Sequence, residues 1–133
     1  VVDASLIMGW CLPDERSQVS DRFVSSLSPD SVLMVPSLFW YEAANVLAMA
    51  MRRSRITAEQ AEHLALLVMA LPLECPLVSP QTTRTLVAMA DRHQLSGYDA
   101  AYLELAIRLS CGLATLDHRL AAAAAQAGVP VFG

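Results

Sequence analysis

The chain contains no lysine: all nine of its basic residues are arginine. Chemistry that depends on a lysine amine is therefore excluded. Cysteines number three, Cys11, Cys75 and Cys111. Being odd in number, widely spaced and set among apolar residues, they predict buried thiols in a reducing compartment, the cytoplasm, and exclude both a disulfide framework and a thiolate zinc site. Uninterrupted apolar runs are also missing. Pro36, Glu42, Pro72 and Arg108 break the longest stretches before the roughly 18 residues a membrane-spanning helix needs, so no membrane association is expected. No secretory signal pattern stands at the start. Val1 in place of Met, with Val1 to Asp3 reading as the end of a strand, predicts a short upstream segment.

What remains suits a packed core. With 133 residues, 55% hydrophobic and only 17% charged, one compact domain spanning residues 1–133 is expected. Short β-like runs at Val1 to Asp3, Val32 to Val35, Leu77 and Val78, Leu113 to Leu116 and Val129 to Phe132 alternate with helical stretches. The helices are a short turn after Ser5, then Asp14 to Leu27, Leu38 to Arg53, Ala58 to Leu71, Gln81 to His93, Tyr98 to Leu109 and His118 to Ala127. Thr57 with Gln60 forms a capping box, Ser79 precedes a proline at a helix start, and Gly128 with Pro130 ends the last helix. Strands alternating with helices imply an α/β fold, a five-stranded parallel sheet covered on both faces.

In such sheets, sites form beyond the carboxyl ends of the strands. Four acids fall there: Asp3 and Asp117 end strands, while Glu42 and Asp99 lie in the first turns of helices. Glu42 is the only charged residue between Ser31 and Met51. Its helix is apolar nearly all round, which predicts burial, and a buried carboxylate needs a cation, a metal or one of the nine arginines. Asn45, three residues on, shares its face and is positioned to hold Glu42 or a water. Each of the others has a bland explanation. Ser96-Gly97-Tyr98-Asp99 matches a capping box, and Asp117 and Asp3 fit as N-caps of the segments that follow them.

Convergence would change their meaning. Two unit charges about 4 Å apart repel by roughly 4 kcal/mol at an effective dielectric near 20, so a four-carboxylate cluster demands dications or protons. Hard oxygen ligands without accompanying His or Cys favour Mg²⁺, with Mn²⁺ as an alternative. Mg²⁺ on carboxylates recruits phosphate oxygens, which is the chemistry of phosphodiester hydrolysis. The net charge of -4 opposes a nucleic-acid partner until four neutralised carboxylates are taken into account, after which the balance is permissive.

These motifs resemble the PIN domain family, and within it the VapC-type toxins of bacterial type II toxin-antitoxin systems. The matching segments are Val2-Asp3-Ala4-Ser5, Pro36-Ser37 leading to Glu42 and Asn45, Gly97-Tyr98-Asp99-Ala100-Ala101-Tyr102, and Leu113-Ala114-Thr115-Leu116-Asp117. The resemblance implies a three-layer sandwich with sheet order 3-2-1-4-5 and a Mg²⁺-dependent endoribonuclease. Asp3 and Asp99 are its implied principal metal ligands, with Glu42 and Asp117 completing the pocket directly or through water. Ser5, Asn45 and Thr115 are implied hydrogen-bonding supports. An RNA substrate, a VapB-type antitoxin and a homodimer are the implied partners.

Other residues carry plainer expectations. Arg52, Arg53 and Arg55 read as a solvated helix end complementing the dipole. His63, His93 and His118 are scattered. Trp10, Phe39, Trp40 and Tyr41 read as core or dimer packing, and Met49, Met51, Met69 and Met89 as core filling. Two rival readings are a phosphoryl-transfer protein with aspartates around Mg²⁺, opposed by the missing lysine, and a PIN-like module that docks without cutting. A third is a PIN nuclease of RNA processing.

Overall fold

The computed structural model describes residues 1–132. Seven helices are interleaved with short strands: α1 Ala4–Cys11, α2 Gln18–Ser26, β1 Leu33–Met34, α3 Leu38–Arg52, α4 Ala58–Met69, β2 Leu73–Glu74, α5 Thr82–His93, α6 Gly97–Arg108, β3 Leu113–Ala114, α7 His118–Gln126 and β4 Val131–Phe132. The strands form two parallel pairs, β1 with β2 and β3 with β4. Val2 lies against both pairs. Its amide donates to the Met34 carbonyl at 3.0 Å, and it makes an isolated parallel bridge to Ala114.

Two apolar clusters explain why helices cover the faces of these two small parallel sheets. Val2, Ile7, Phe39, Leu47, Val68 and others form one, and Tyr102, Leu103, Leu113, Leu120 and Ala124 anchor the other. Leu113 belongs to the second cluster and its neighbour Ala114 to the first. That is the period-two alternation of a strand buried on both faces.

Two helix starts follow local chemistry closely. The Ser17 and Thr57 side chains each accept from the amide three residues on, completing capping boxes for α2 and α4. The chain leaves α7 through Gly128, whose φ of 77° is costly for residues with a Cβ.

Several expectations are corrected. α2 begins at Gln18 rather than Asp14, because Ser17 supplies the cap while Asp14 and Glu15 are drawn away to Arg55. The strand expected at Leu77 and Val78 lies instead at Leu73–Glu74, β2, and Leu77 and Val78 sit exposed in the loop beyond it. The short turn expected after Ser5 is part of a full eight-residue helix that begins at Ala4, and α5 starts one residue later than expected, with Gln81 as its N-cap. Helix α3 is not enclosed all round. It buries the stripe Phe39, Ala43, Leu47 and Ala50, while Trp40, Tyr41, Ala44 and Met51 face outward. Met69 likewise is exposed rather than filling the core. Of the cysteines, Cys11 is buried, Cys111 half-buried and Cys75 exposed in the loop after β2. Burial raises the Cys11 thiol to about 11, so it stays protonated.

Candidate active site

Asp3 follows directly on Val2 and occupies the N-cap position of α1, with extended backbone at φ -83° and ψ 150°. Its side chain makes no cap hydrogen bond. It is instead 6% exposed, and Oδ2 accepts from Ser5 Oγ at 2.5 Å and Thr115 Oγ1 at 2.8 Å. Those two hydroxyls are themselves held: Ser5 Oγ accepts from the Leu116 amide at 3.0 Å, and Thr115 Oγ1 from the Asp117 amide at 2.9 Å. The loop after β3 thus orients Asp3 through two hydroxyls that each accept a backbone amide and donate their proton to the carboxylate, which can only accept.

Glu42 lies half-buried in the second turn of α3 and accepts a short hydrogen bond from the hydroxyl of Tyr102, a fully buried residue of α6. Burial raises the proton affinity of both Asp3 and Glu42. Hydrogen bonds oppose the shift in each case, and charge repulsion reinforces it, from Asp99 on Asp3 and from Asp3 and Asp99 on Glu42. Burial also raises the Tyr102 phenol, helped by its bond to Glu42, so it remains a donor.

Asp99 stands in the first turn of α6, where Ser96 Oγ donates to its Oδ2 at 2.7 Å and accepts from its amide at 3.0 Å. Ser96 therefore caps this turn, but the capping box is not closed, since the Asp99 carboxylate takes the Ser96 hydroxyl rather than its amide; that carboxylate also repels Asp3 and Glu42. Asp117 is an N-cap as well. Its Oδ1 accepts from the amides of Arg119 at 2.7 Å and Leu120 at 3.1 Å, and its own amide ties it to Thr115 and so to Asp3.

Of the seven residues singled out by sequence, Asp3, Glu42 and Asp99 thus share one electrostatic neighbourhood. Ser5 and Thr115 hold Asp3, and Asp117 reaches it through Thr115. Asn45 is exposed and makes no hydrogen bond to Glu42 among the described residues. Tyr102 fills the role expected of it. Tyr102 lies three residues beyond Asp99 on the same helix, and that spacing is the signal that would have placed it beside the acids.

None of the four acids belongs to an ion pair among the described residues; the pairs are Arg16 with Asp21, Arg55 with Asp14 and Glu15, and Arg108 with Glu104. The donor set is one of hard, mutually repelling oxygens, which fits a hard dication. No group of three His, Cys, Asp or Glu side chains among the described residues forms a ready-made direct ligand set. Part of any coordination would therefore run through water, the usual habit of Mg²⁺.

An α/β fold that gathers unpaired acids around the start of its chain defines a class. The chain belongs to the PIN domain family, whose model matches residues 1–126. It is 34% identical over 125 residues to "Ribonuclease VapC3" of Pyrobaculum aerophilum, covering 91% of each chain. Its fold is similar to that titled "Crystal structure of PAE2754 from Pyrobaculum aerophilum", with a TM-score of 0.61 at 21% identity, over 92% of this chain and 83% of that one.

Proposed function

We propose that this protein is a single-domain, metal-dependent endoribonuclease of the VapC type, acting in the cytoplasm. The observation that carries the reading is a buried Asp3 held by the Ser5 and Thr115 hydroxyls, with Glu42 and Asp99 within electrostatic reach and no cationic side chain paired with any of the three among the described residues. Carboxylates kept in this state cost stability and are retained where they hold a ligand. The printed name of the VapC3 relative supports the substrate class.

Asp3 and Asp99 would hold Mg²⁺ or Mn²⁺, with Glu42 and Asp117 completing the site directly or through water. A dication held there supplies positive charge to the phosphate oxygens and favours hydrolysis of a phosphodiester. Ser5 and Thr115 fix the Asp3 rotamer by donating to one oxygen, which leaves the other for the ligand. Tyr102 does the same for Glu42. Asp117, spending Oδ1 on the first turn of α7, has Oδ2 to offer. Arg119, in that same turn, has no ion-pair partner among the described residues and opposes the helix dipole, which suits a contact with an incoming phosphate.

In this reading Val1–Asp3 acts as the central strand of a sheet of order 3-2-1-4-5. The bond from Val2 to Met34 and its bridge to Ala114 support that order. Exposed apolar side chains on α3 and α4, including Tyr41, Met51, Leu66 and Met69, suit protein partners, a second copy of the chain and a VapB-type antitoxin. No helix among the described residues is long and apolar enough to cross a membrane.

The test is cleavage of a mixed single-stranded RNA pool in Mg²⁺, in EDTA, and by the Asp3→Ala and Asp99→Ala variants. Cleavage that needs the metal and both acids is expected. Cleavage that survives EDTA or either substitution would remove the assignment.

A further inference from the structure

One cavity adjoins the acids and takes in one of them, Asp117. About 360 Å³ in volume, it shares Ser5 and Asp117 with the candidate site and extends over Met8, Gly9, Val46 and Leu116 to Glu15. Its walls are apolar apart from these polar groups. Gly9 keeps one wall low, since a Cβ there would lie 3.1 Å from Leu116 Cδ1 and 3.9 Å from the Glu15 carbonyl oxygen. A flat apolar object with a polar edge fits such a space.

Glu15 determines what that edge must be. The Arg55 guanidinium closes a two-point fork on Asp14, with Nε and Nη2 at 2.8 and 2.7 Å, and places Nη2 2.6 Å from Glu15 Oε1. Asp14 thereby accepts on both of its oxygens. One positive charge faces two negative ones, and Glu15 engages it through Oε1 alone, leaving Oε2 without a hydrogen-bond partner among the described residues. A carboxylate oxygen and a backbone carbonyl are acceptors only. They repel a phosphate and welcome N–H.

Resting on the nuclease reading for the position of the phosphate, we propose that this cavity seats a nucleobase next to the scissile bond. Glu15 then selects bases that present an exocyclic amine. Cytosine offers N4–H₂ to a carboxylate, whereas uracil presents the O4 carbonyl at the same position and is disfavoured by charge. Stacking and size are matched between these two pyrimidines, so their comparison isolates the edge.

Fluorescence anisotropy with labelled hexacytidylate and hexauridylate, using the full chain with Ca²⁺ in place of Mg²⁺, reads the selectivity as a ratio of Kd values. A ratio of about ten in favour of cytidine is expected, falling to about two or less in Glu15→Gln, which retains an oxygen for Arg55. Equal Kd values, no binding of either oligomer, or a preference that Glu15→Gln leaves intact would overturn the subsite. Cleavage of the same oligomers in Mg²⁺ is scored separately. Selective binding without cleavage keeps the subsite and removes the nuclease reading, while cleavage without selectivity does the reverse.

Discussion

Two groups of acids in this small chain have opposite fates. Asp14 and Glu15, in the exposed loop after α1, are met by Arg55 of the segment joining α3 to α4. The guanidinium holds Asp14 below the ordinary carboxylate range, and the two acids hold the Arg55 proton more firmly in return. Asp3, Glu42 and Asp99 receive hydroxyl donors but no cation, and two of the three are pushed upward by burial and by one another. The first group fastens a loop to a helix end with charges the protein supplies itself. The second is organised as fully, yet its charge is left for something that is not protein. Nearness of acids therefore says little about function until the compensating charge is located.

The sharpest way to break this comparison is to remove an acid from each group. Asp3→Ala or Asp99→Ala should lower RNA cleavage by roughly 1000-fold, measured as kcat/KM on a single-stranded substrate in Mg²⁺. Asp14→Ala should leave it within about twofold, because its carboxylate is consumed by Arg55. Similar losses at the two sites would erase the distinction.

Next come the hydroxyls that orient the unpaired group. Thr115→Val and Tyr102→Phe each remove a proton donor while keeping the volume of the side chain. Activity should fall by roughly 10- to 100-fold, with the apparent Mg²⁺ requirement rising and the fold intact by circular dichroism. Without the Tyr102 hydroxyl, Glu42 should bind its proton more tightly still.

A smaller effect separates the groups by stability. Asp3 and Glu42 are raised from ordinary values of 3.8 and 4.5, so the folded chain binds protons there more tightly than the unfolded chain. In EDTA, their contribution should be neutral below those ordinary values and turn destabilising as pH rises through the folded ones. Asp3→Asn should accordingly raise Tm by roughly 3–5 °C at pH 7 in EDTA and by nothing at pH 3.5. Mg²⁺ should raise the Tm of the unaltered chain and have less effect on this variant. A fall in Tm at pH 7 on making Asp3→Asn would contradict the account.

The smallest effect belongs to the paired group. Arg55→Ala should lower Tm modestly, and the difference should shrink in 1 M salt, as expected of exposed ion pairs. Loss insensitive to salt would point to packing by the arginine stem instead.

Legibility differed between these regions for physical reasons. The four motif acids could be picked out because α/β connections place strand ends and helix starts on one rim, and because Glu42 is alone among apolar neighbours. Helix ends were equally readable at Thr57 and Gly128, where a single residue supplies the local chemistry. The β2 strand was not, since Leu73–Glu74 is two residues long and carries no periodicity that distinguishes it from Leu77 and Val78. Asn45 illustrates a related point. Sharing a helix face with Glu42 indicated proximity, whereas the partner Glu42 found lies on another helix. The clasp of Asp14 and Glu15 by Arg55 spans some 40 residues of chain, and no local pattern announces it.

Sequence alone determined the alternation of helices and strands, the capping boxes such as that of Thr57 with Gln60, the absence of lysine chemistry and which acids were candidates, because these depend on neighbours a few residues apart. Only the tertiary structure decided which acids meet an arginine and which meet only hydroxyls and one another. Compensation of a buried charge is a property of the space around it, and that space is assembled from segments distant in the chain.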